Sequence, residues 1–170
     1  MSWSLPIVAA TAALLGWSAL CQAQTASQQF KDWRYECLAQ KPAAGSTAAK
    51  QVCRIQHEVR NGKNLLLAAR VRIMGAQKQV ALLLFLPPTL TAKTPIGFVV
   101  DQGAMATTEV RQCNAQLCMA AVPVGGDLLA AMKAGGALTV VVKPGAGETR
   151  LVVPLNGFTG AFATLQAAAQ

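Results

Sequence analysis

The sequence predicts an all-β chain: an antiparallel sandwich or barrel-like single domain with one or two short helices. Three observations lead there. Several short runs alternate apolar and polar residues with period two, as a strand with one buried face does. Turn-forming Gly, Pro and Asn recur about every 8 to 12 residues between those runs. Helical spacing is confined to two short segments toward the C-terminal end.

The first 23 residues stand apart and read as a signal peptide, followed by one domain over residues 24–170. Leu5 to Leu20 are almost all apolar. That suits a signal-peptide core and falls short of the roughly 20 residues a membrane helix needs. Cleavage after Ala23 would place Cys21 and Ala23 at the two positions where small residues are wanted. No Lys or Arg precedes the apolar core, so a retained N-terminal anchor is the alternative. Lipidation of Cys21 is disfavoured because Leu20 stands where a lipidation signal needs a small residue.

Residues 24–30, QTASQQF, read as a mobile lead-in. In KDWRYEC, Trp33, Tyr35 and Cys37 share one face, and Asp32, Arg34 and Glu36 the other. Residues 38–51 are small and polar and read as a loop around Pro42 and Gly45. CRIQHEVR alternates again, with Cys53, Ile55, His57 and Val59 inward. Asn61-Gly62 signals a hairpin turn. NLLLAARVRI follows, with Val71 and Ile73 opposite Arg70 and Arg72. QVALLLFL is a continuous apolar run, expected to be dry on both faces and stopped by Pro87-Pro88. PIGFVVDQG gives a short strand and a turn, and TTEVRQC and LCMAAV flank a four-residue connection. GGDLLAAMKAGG reads as a helix with Asp127 at its start and Gly135 at its stop. LTVVV and TRLVVPL surround a PGAGE turn. NGFTGAFATL spaces Phe158, Phe162 and Leu165 as one face of a short helix, expected to pack in the core.

The chain carries 15 Lys and Arg against 7 Asp and Glu, a net charge of +8. All of these lie beyond residue 23 and none form a run of five. Such a surface is soluble and attracts anionic polymers or membrane surfaces. No zinc finger, RNA-binding aromatic motif or basic helix is present, so nucleic acid is not an expected partner.

Beyond the leader, four cysteines remain: Cys37, Cys53, Cys113 and Cys118. An even count in an exported chain reads as disulfides. CNAQLC, residues 113–118, has the wrong spacing for the C-x-x-C of a thioredoxin-like couple. No C-x2-C or H-x3-H pair accompanies it to complete a metal site. A four-residue hairpin loop, by contrast, sets its flanking residues opposite each other, about 4.5 to 5.5 Å apart at Cα, within disulfide reach. Cys113–Cys118 is therefore expected as a staple worth about 2 kcal/mol. Of the three possible connectivities, proximity favours this one, which leaves Cys37 to Cys53 and a loop closure worth about 3 kcal/mol.

No catalytic residue is expected. Beyond the leader there is one histidine, His57, and two serines, Ser27 and Ser46, both in segments read as mobile. A nucleophile must be held within about 3 Å of its base. His57 shares a strand face with Cys53 and Ile55 and reads as structural, and Asp101 reads as a turn cap. No phosphate-binding Gly loop and no cofactor motif is found. The remaining candidate is a surface: Arg54, Arg60, Arg70 and Arg72 fall on one outer face if their strands pair across Asn61-Gly62, with plain solvation as the alternative. Two other functions stay open. One is a thiol–disulfide protein using Cys113 and Cys118; the other is a carrier of small apolar ligands in the sandwich interior.

Several stretches together resemble the invasion-associated locus B family of exported bacterial proteins. They are Asp32-Trp33 with Cys37, Cys53-x-Ile55-Gln56, Leu86-Pro87, Val100-Asp101, Cys113 and Cys118, and Leu155-x-Gly157-Phe158 with Ala161 and Leu165. One departure is Leu117, where many relatives carry Gly before the cysteine; it bears on the shape of that loop. The resemblance implies a periplasmic, outer-membrane-associated or secreted β-sandwich with no catalytic residue and no metal to transfer. Together with the basic face carrying Arg54, Arg60, Arg70 and Arg72, it points to an envelope or host-surface partner, with anionic lipid or polysaccharide expected from that face's charge. Some pathogenic members act in host-cell entry, but the family is also widespread in free-living bacteria.

Overall fold

The structure is a computed structural model that describes residues 27–40, 50–143 and 147–169. Ten strands and two helices occur among the described residues. They are β1 (Ser27–Phe30), β2 (Trp33–Gln40), β3 (Lys50–Asn61), β4 (Asn64–Met74), β5 (Gln79–Leu86), β6 (Pro95–Val100), β7 (Ala106–Cys113), β8 (Cys118–Pro123), α1 (Gly126–Ala134), β9 (Ala137–Val142), β10 (Thr149–Pro154) and α2 (Phe158–Ala167). The leader and its cleavage site lie outside the described residues, as do Ser46 and most of the loop after β2.

All neighbours pair antiparallel in one sheet of order β1-β2-β3-β4-β5-β8-β7-β6-β9-β10. The sheet folds back on itself at β7. Ala106–Glu109 pair with β6, and Val110–Cys113 pair with β8. A register shift between Val110 and Gln112 marks the corner, since a bulge bends a strand and lets it change layers. The far layer, ending in β10, then covers the inner face of β2 to β5. Trp33 is fully buried between the layers, and its indole N–H donates to the Pro154 carbonyl oxygen at 2.8 Å. The same core holds Ile55, Leu67, Leu84, Val140 and Val153.

The two helices pack against each other: Thr159 Oγ1 donates to the Lys133 carbonyl oxygen at 2.9 Å, and Lys133 Nζ lies over the Phe162 ring. Phe158, Phe162 and Leu165 of α2 are buried, as their spacing predicts, with the Phe158 ring edge-on to Trp33 at 5.1 Å. Gly157 precedes α2 at φ 89, and a Cβ there would overlap the Phe30 carbonyl oxygen. Gly135 stops α1 for a different reason. Its φ is −79, open to any residue, but a Cβ would lie 2.6 Å from Val100 Cγ1 and 2.7 Å from Asp101 Oδ2. Asp101 does cap: its carboxylate accepts hydrogen bonds from the Gly136 and Ala137 N–H groups at 2.9 and 2.8 Å.

Four sequence expectations need correction. Residues 27–30 are not a mobile lead-in but an edge strand, because Phe30 lies opposite Trp33 and packs on α2. The loop after β2 is shorter than expected: pairing continues to Gln40 opposite Lys50. The hairpin turn falls one residue late, on Gly62-Lys63, with Gly62 at φ 58 and Asn61 paired to Asn64. And β5 is dry on one face only. Leu82, Leu84 and Leu86 are buried, whereas Leu83 and Phe85 are half-exposed on the outer face.

Candidate functional site

Both expected cysteine pairs are cross-strand disulfides between residues directly opposite in register. Cys37 faces Cys53 on β2 and β3, and Cys113 faces Cys118 on β7 and β8. Each pair has its Cα atoms 4.0 Å apart, closer than the sequence argument anticipated. The intervening loop is held by Asn114, whose side-chain oxygen accepts from the Gln116 and Leu117 N–H groups, both at 2.9 Å. That is an Asx turn; it suits Leu117 without requiring glycine. Cys118 is fully buried, whereas Cys113 lies at the surface.

The groups that could do acid–base or nucleophilic chemistry are dispersed. His57 is half-buried against Trp33, and its Nδ1 donates to the Asp32 carbonyl oxygen at 2.7 Å. Ser27 lies opposite Glu36, three residues along the sheet from the row holding Phe30 and Trp33, or roughly 10 Å. It is thus out of reach of His57. Among the described residues, no three His, Cys, Asp or Glu side chains are placed to hold a metal ion.

The outer face of β2 to β5 and β8 has more character, and the strand register builds it row by row. One row runs Arg34, Gln56, Arg70, Leu83, Ala121. The next sets Glu36 beside Arg54, and Arg72 beside Ala81 and Pro123. A third runs Glu58, Ala68, Phe85, Met119, Gln112. The face is therefore charged over β2 to β4 and apolar over β5 and β8. The four arginines of interest share it but are not equivalent. Arg54 is bound to Glu36, with Nε 2.6 Å from Oε1. Arg60, near the hairpin end, is bound to Glu58 at 2.8 Å. Arg70 stacks on the Phe85 ring at 4.4 Å and donates to Gln56 Oε1 at 3.1 Å. Burial pushes the Arg70 guanidinium below its usual pKa, and nearby Arg54 pushes the same way against Glu58 and Glu36. Arg72 has a buried Nε with no hydrogen-bond partner. Among the described residues, neither Arg70 nor Arg72 has a carboxylate within 4.0 Å.

The profile of the invasion associated locus B (IalB) protein family matches residues 17–166. The chain belongs to this family. Its fold is also similar to the crystal structure of invasion associated protein b from Bartonella henselae, with a TM-score of 0.69 and 25% sequence identity over 85% of this chain and 99% of that one. No curated protein sequence matches the chain. Membership of the invasion-associated locus B family agrees with the β-rich, two-disulfide architecture and brings the order of the short motifs together. Asp32-Trp33 lies at the closure beneath β10, Val100-Asp101 supplies the cap on β9, and Leu155-x-Gly157-Phe158 seats α2.

Sequence reasoning missed the apolar half of the outer face. Its signal was present: QVALLLFL does not alternate, and AAVP of β8 puts Ala121 where an exposed strand would carry a polar residue. Nor could it foresee that Arg54 and Arg60 are paired internally, because Glu36 becomes Arg54's neighbour only through the β2–β3 register.

Proposed function

We propose that this protein is a non-enzymatic, exported envelope protein that acts as a binding module. Its partner is an anionic component of the envelope or of a host surface, held on the outer face of β3 and β4. The observation that carries this reading is the Arg70–Arg72 pair: two half-buried guanidinium groups without a carboxylate partner. They border an apolar strip that a purely solvated face would not need. Arg54 and Arg60 add positive potential, but their bonding capacity is largely taken up by Glu36 and Glu58. Scattered catalytic residue types and cysteines committed to disulfides support binding over chemistry.

The test is adsorption to acidic phospholipid vesicles and to lipopolysaccharide across salt concentrations. Binding should weaken as the Debye length falls from about 10 Å at 0.1 M to about 3 Å at 1 M. Replacing Arg70 and Arg72 with Gln should remove most of it; extending the change to Arg54 and Arg60 should add little. Arg70 also packs over the Phe85 ring and Arg54 is paired with Glu36, so the variants should lose about 1 kcal/mol or more of stability, and circular dichroism must show them folded before binding is compared. Equal binding by wild type and the quadruple variant, or indifference to salt, would return this face to simple solvation.

A further inference from the structure

The apolar half of the outer face is hollowed. Ala81 on β5 and Ala121 on β8 end at Cβ, while longer side chains stand around them: Met74 (40% exposed) at the end of β4 and Arg111 on β7. The result is an open, mainly apolar trough of about 690 Å³ floored by Ala81, Ala121 and Pro123. That lies within the roughly 300–1,000 Å³ of sites that hold small ligands. Arg72 is the immediate cross-strand neighbour of Ala81 on this face. Its Nε–H is buried and without an acceptor, so Arg72 is packed down beside the trough and adds positive potential at its edge. Arg111 lines the trough itself, is exposed, and has no carboxylate within 4.0 Å among the described residues. An apolar floor with a free cationic side chain at its rim matches a ligand with an alkyl chain and an anionic head. A sugar polymer would leave the floor unused, and a free phosphate would leave the trough empty.

We infer that the β5–β8 trough seats one acyl chain of an anionic amphiphile whose headgroup is held by Arg111. This rests on the binding-module reading above and gives its anionic partner a lipid's chemistry. Chain burial supplies most of the affinity, and the charge-assisted contact at Arg111 fixes the end at which the head sits.

The test is calorimetric titration of the purified protein with dodecyl phosphate below its micelle-forming concentration. Inorganic phosphate (head only) and dodecyl maltoside (chain only) serve as controls. Dodecyl phosphate should bind one per chain, at least about a hundredfold more tightly than inorganic phosphate, because several methylenes leave water. Ala121→Trp fills the floor and should weaken dodecyl phosphate and dodecyl maltoside alike. Arg111→Gln should weaken dodecyl phosphate about tenfold and leave dodecyl maltoside unchanged. Arg111→Gln keeps the test open should Ala121→Trp fail to fold, as its circular dichroism would reveal. Equal binding of dodecyl phosphate by wild type and folded Ala121→Trp overturns the inference. So does affinity for dodecyl phosphate no greater than for phosphate alone. Acidic vesicles separate the two readings. If they adsorb to wild type while the monomer never binds, the acyl seat is wrong and the electrostatic surface survives. If the monomer binds in the trough while vesicles never adsorb, the seat stands and the surface reading falls.

Discussion

Gly157→Ala should be among the most damaging single-methyl additions in this protein. Two costs combine there. Gly157 sits at φ 89, a left-handed conformation that costs a residue with a Cβ roughly 1–2 kcal/mol. The added Cβ would also overlap the backbone carbonyl oxygen of Phe30 and press on Lys31 Cβ at 3.2 Å. A backbone oxygen cannot rotate aside, so β1 must move away from α2. That strains the Asp32 N–H bond to the Asn156 carbonyl oxygen and loosens the Phe30 packing. Displacements of this kind cost about 1–3 kcal/mol, giving a total of about 3 kcal/mol. For a chain of this size that corresponds to a melting temperature lower by roughly 10 °C. Two controls isolate the causes. Gly62→Ala shares the positive φ, 58, but has nothing within 4 Å of its added Cβ, so only the conformational cost applies. Gly160→Ala meets the movable edge of the Phe30 ring at 3.1 Å and gains helix propensity of about 1 kcal/mol; it should be close to neutral. Urea denaturation and calorimetry of the three variants give the comparison. If Gly157→Ala costs no more than Gly62→Ala, the close approach of β1 to α2 is not as described.

Further expectations can be checked separately. If the proposed export holds, N-terminal sequencing of the mature protein should begin at Gln24; a chain starting at Met1 or Ser2 would contradict signal cleavage. Thiol titration of native protein should find no reactive cysteine, and non-reducing peptide mapping should link Cys37 to Cys53 and Cys113 to Cys118; ready reduction of the second bond would favour a redox role. Trp33→Phe removes the N–H that the Pro154 carbonyl oxygen accepts and should cost about 1–3 kcal/mol, read from the urea midpoint; no measurable shift would refute that tie between the layers. Asp101→Ala leaves the Gly136 and Ala137 N–H groups without their carboxylate and should cost about 1 kcal/mol, the bond being solvent-exposed. Faster amide exchange at Ala137 would accompany it.

Much of this architecture is legible in the sequence wherever one strand face is wet. WRYEC and CRIQHEV alternate cleanly because their outer residues are polar and charged groups that pair on the sheet surface, even where one, Gln56, is buried, so their inward faces and the Cys37–Cys53 pair could be named in advance. SQQF carries no such pattern: β1 is held by its edge pairing and by one side chain, Phe30, so nothing periodic marks it. Sheet order was not legible either. β5 takes β8, not β6, as its neighbour, and only that pairing brings Ala121 beside Leu83. The outer arginines could be placed on a face from alternation alone, but their partners could not. Arg54 with Glu36 and Arg70 over Phe85 are contacts between strands, fixed by register.

The neighbour order also bears on how the chain is made. β1 to β5 form a plain meander in which each strand pairs with the one before it, so these pairs can close as the chain emerges from its N-terminal end. The outer edge of β5 cannot. Its partner is β8, Cys118–Pro123, and β6 and β7 must emerge first. During that interval the most apolar strand, QVALLLFL, presents an unsatisfied row of backbone groups to any other extended segment nearby. A chain halted between Leu86 and Cys118 as it emerges would be the sticky species, and a holding chaperone that covers β5 would matter most in that window.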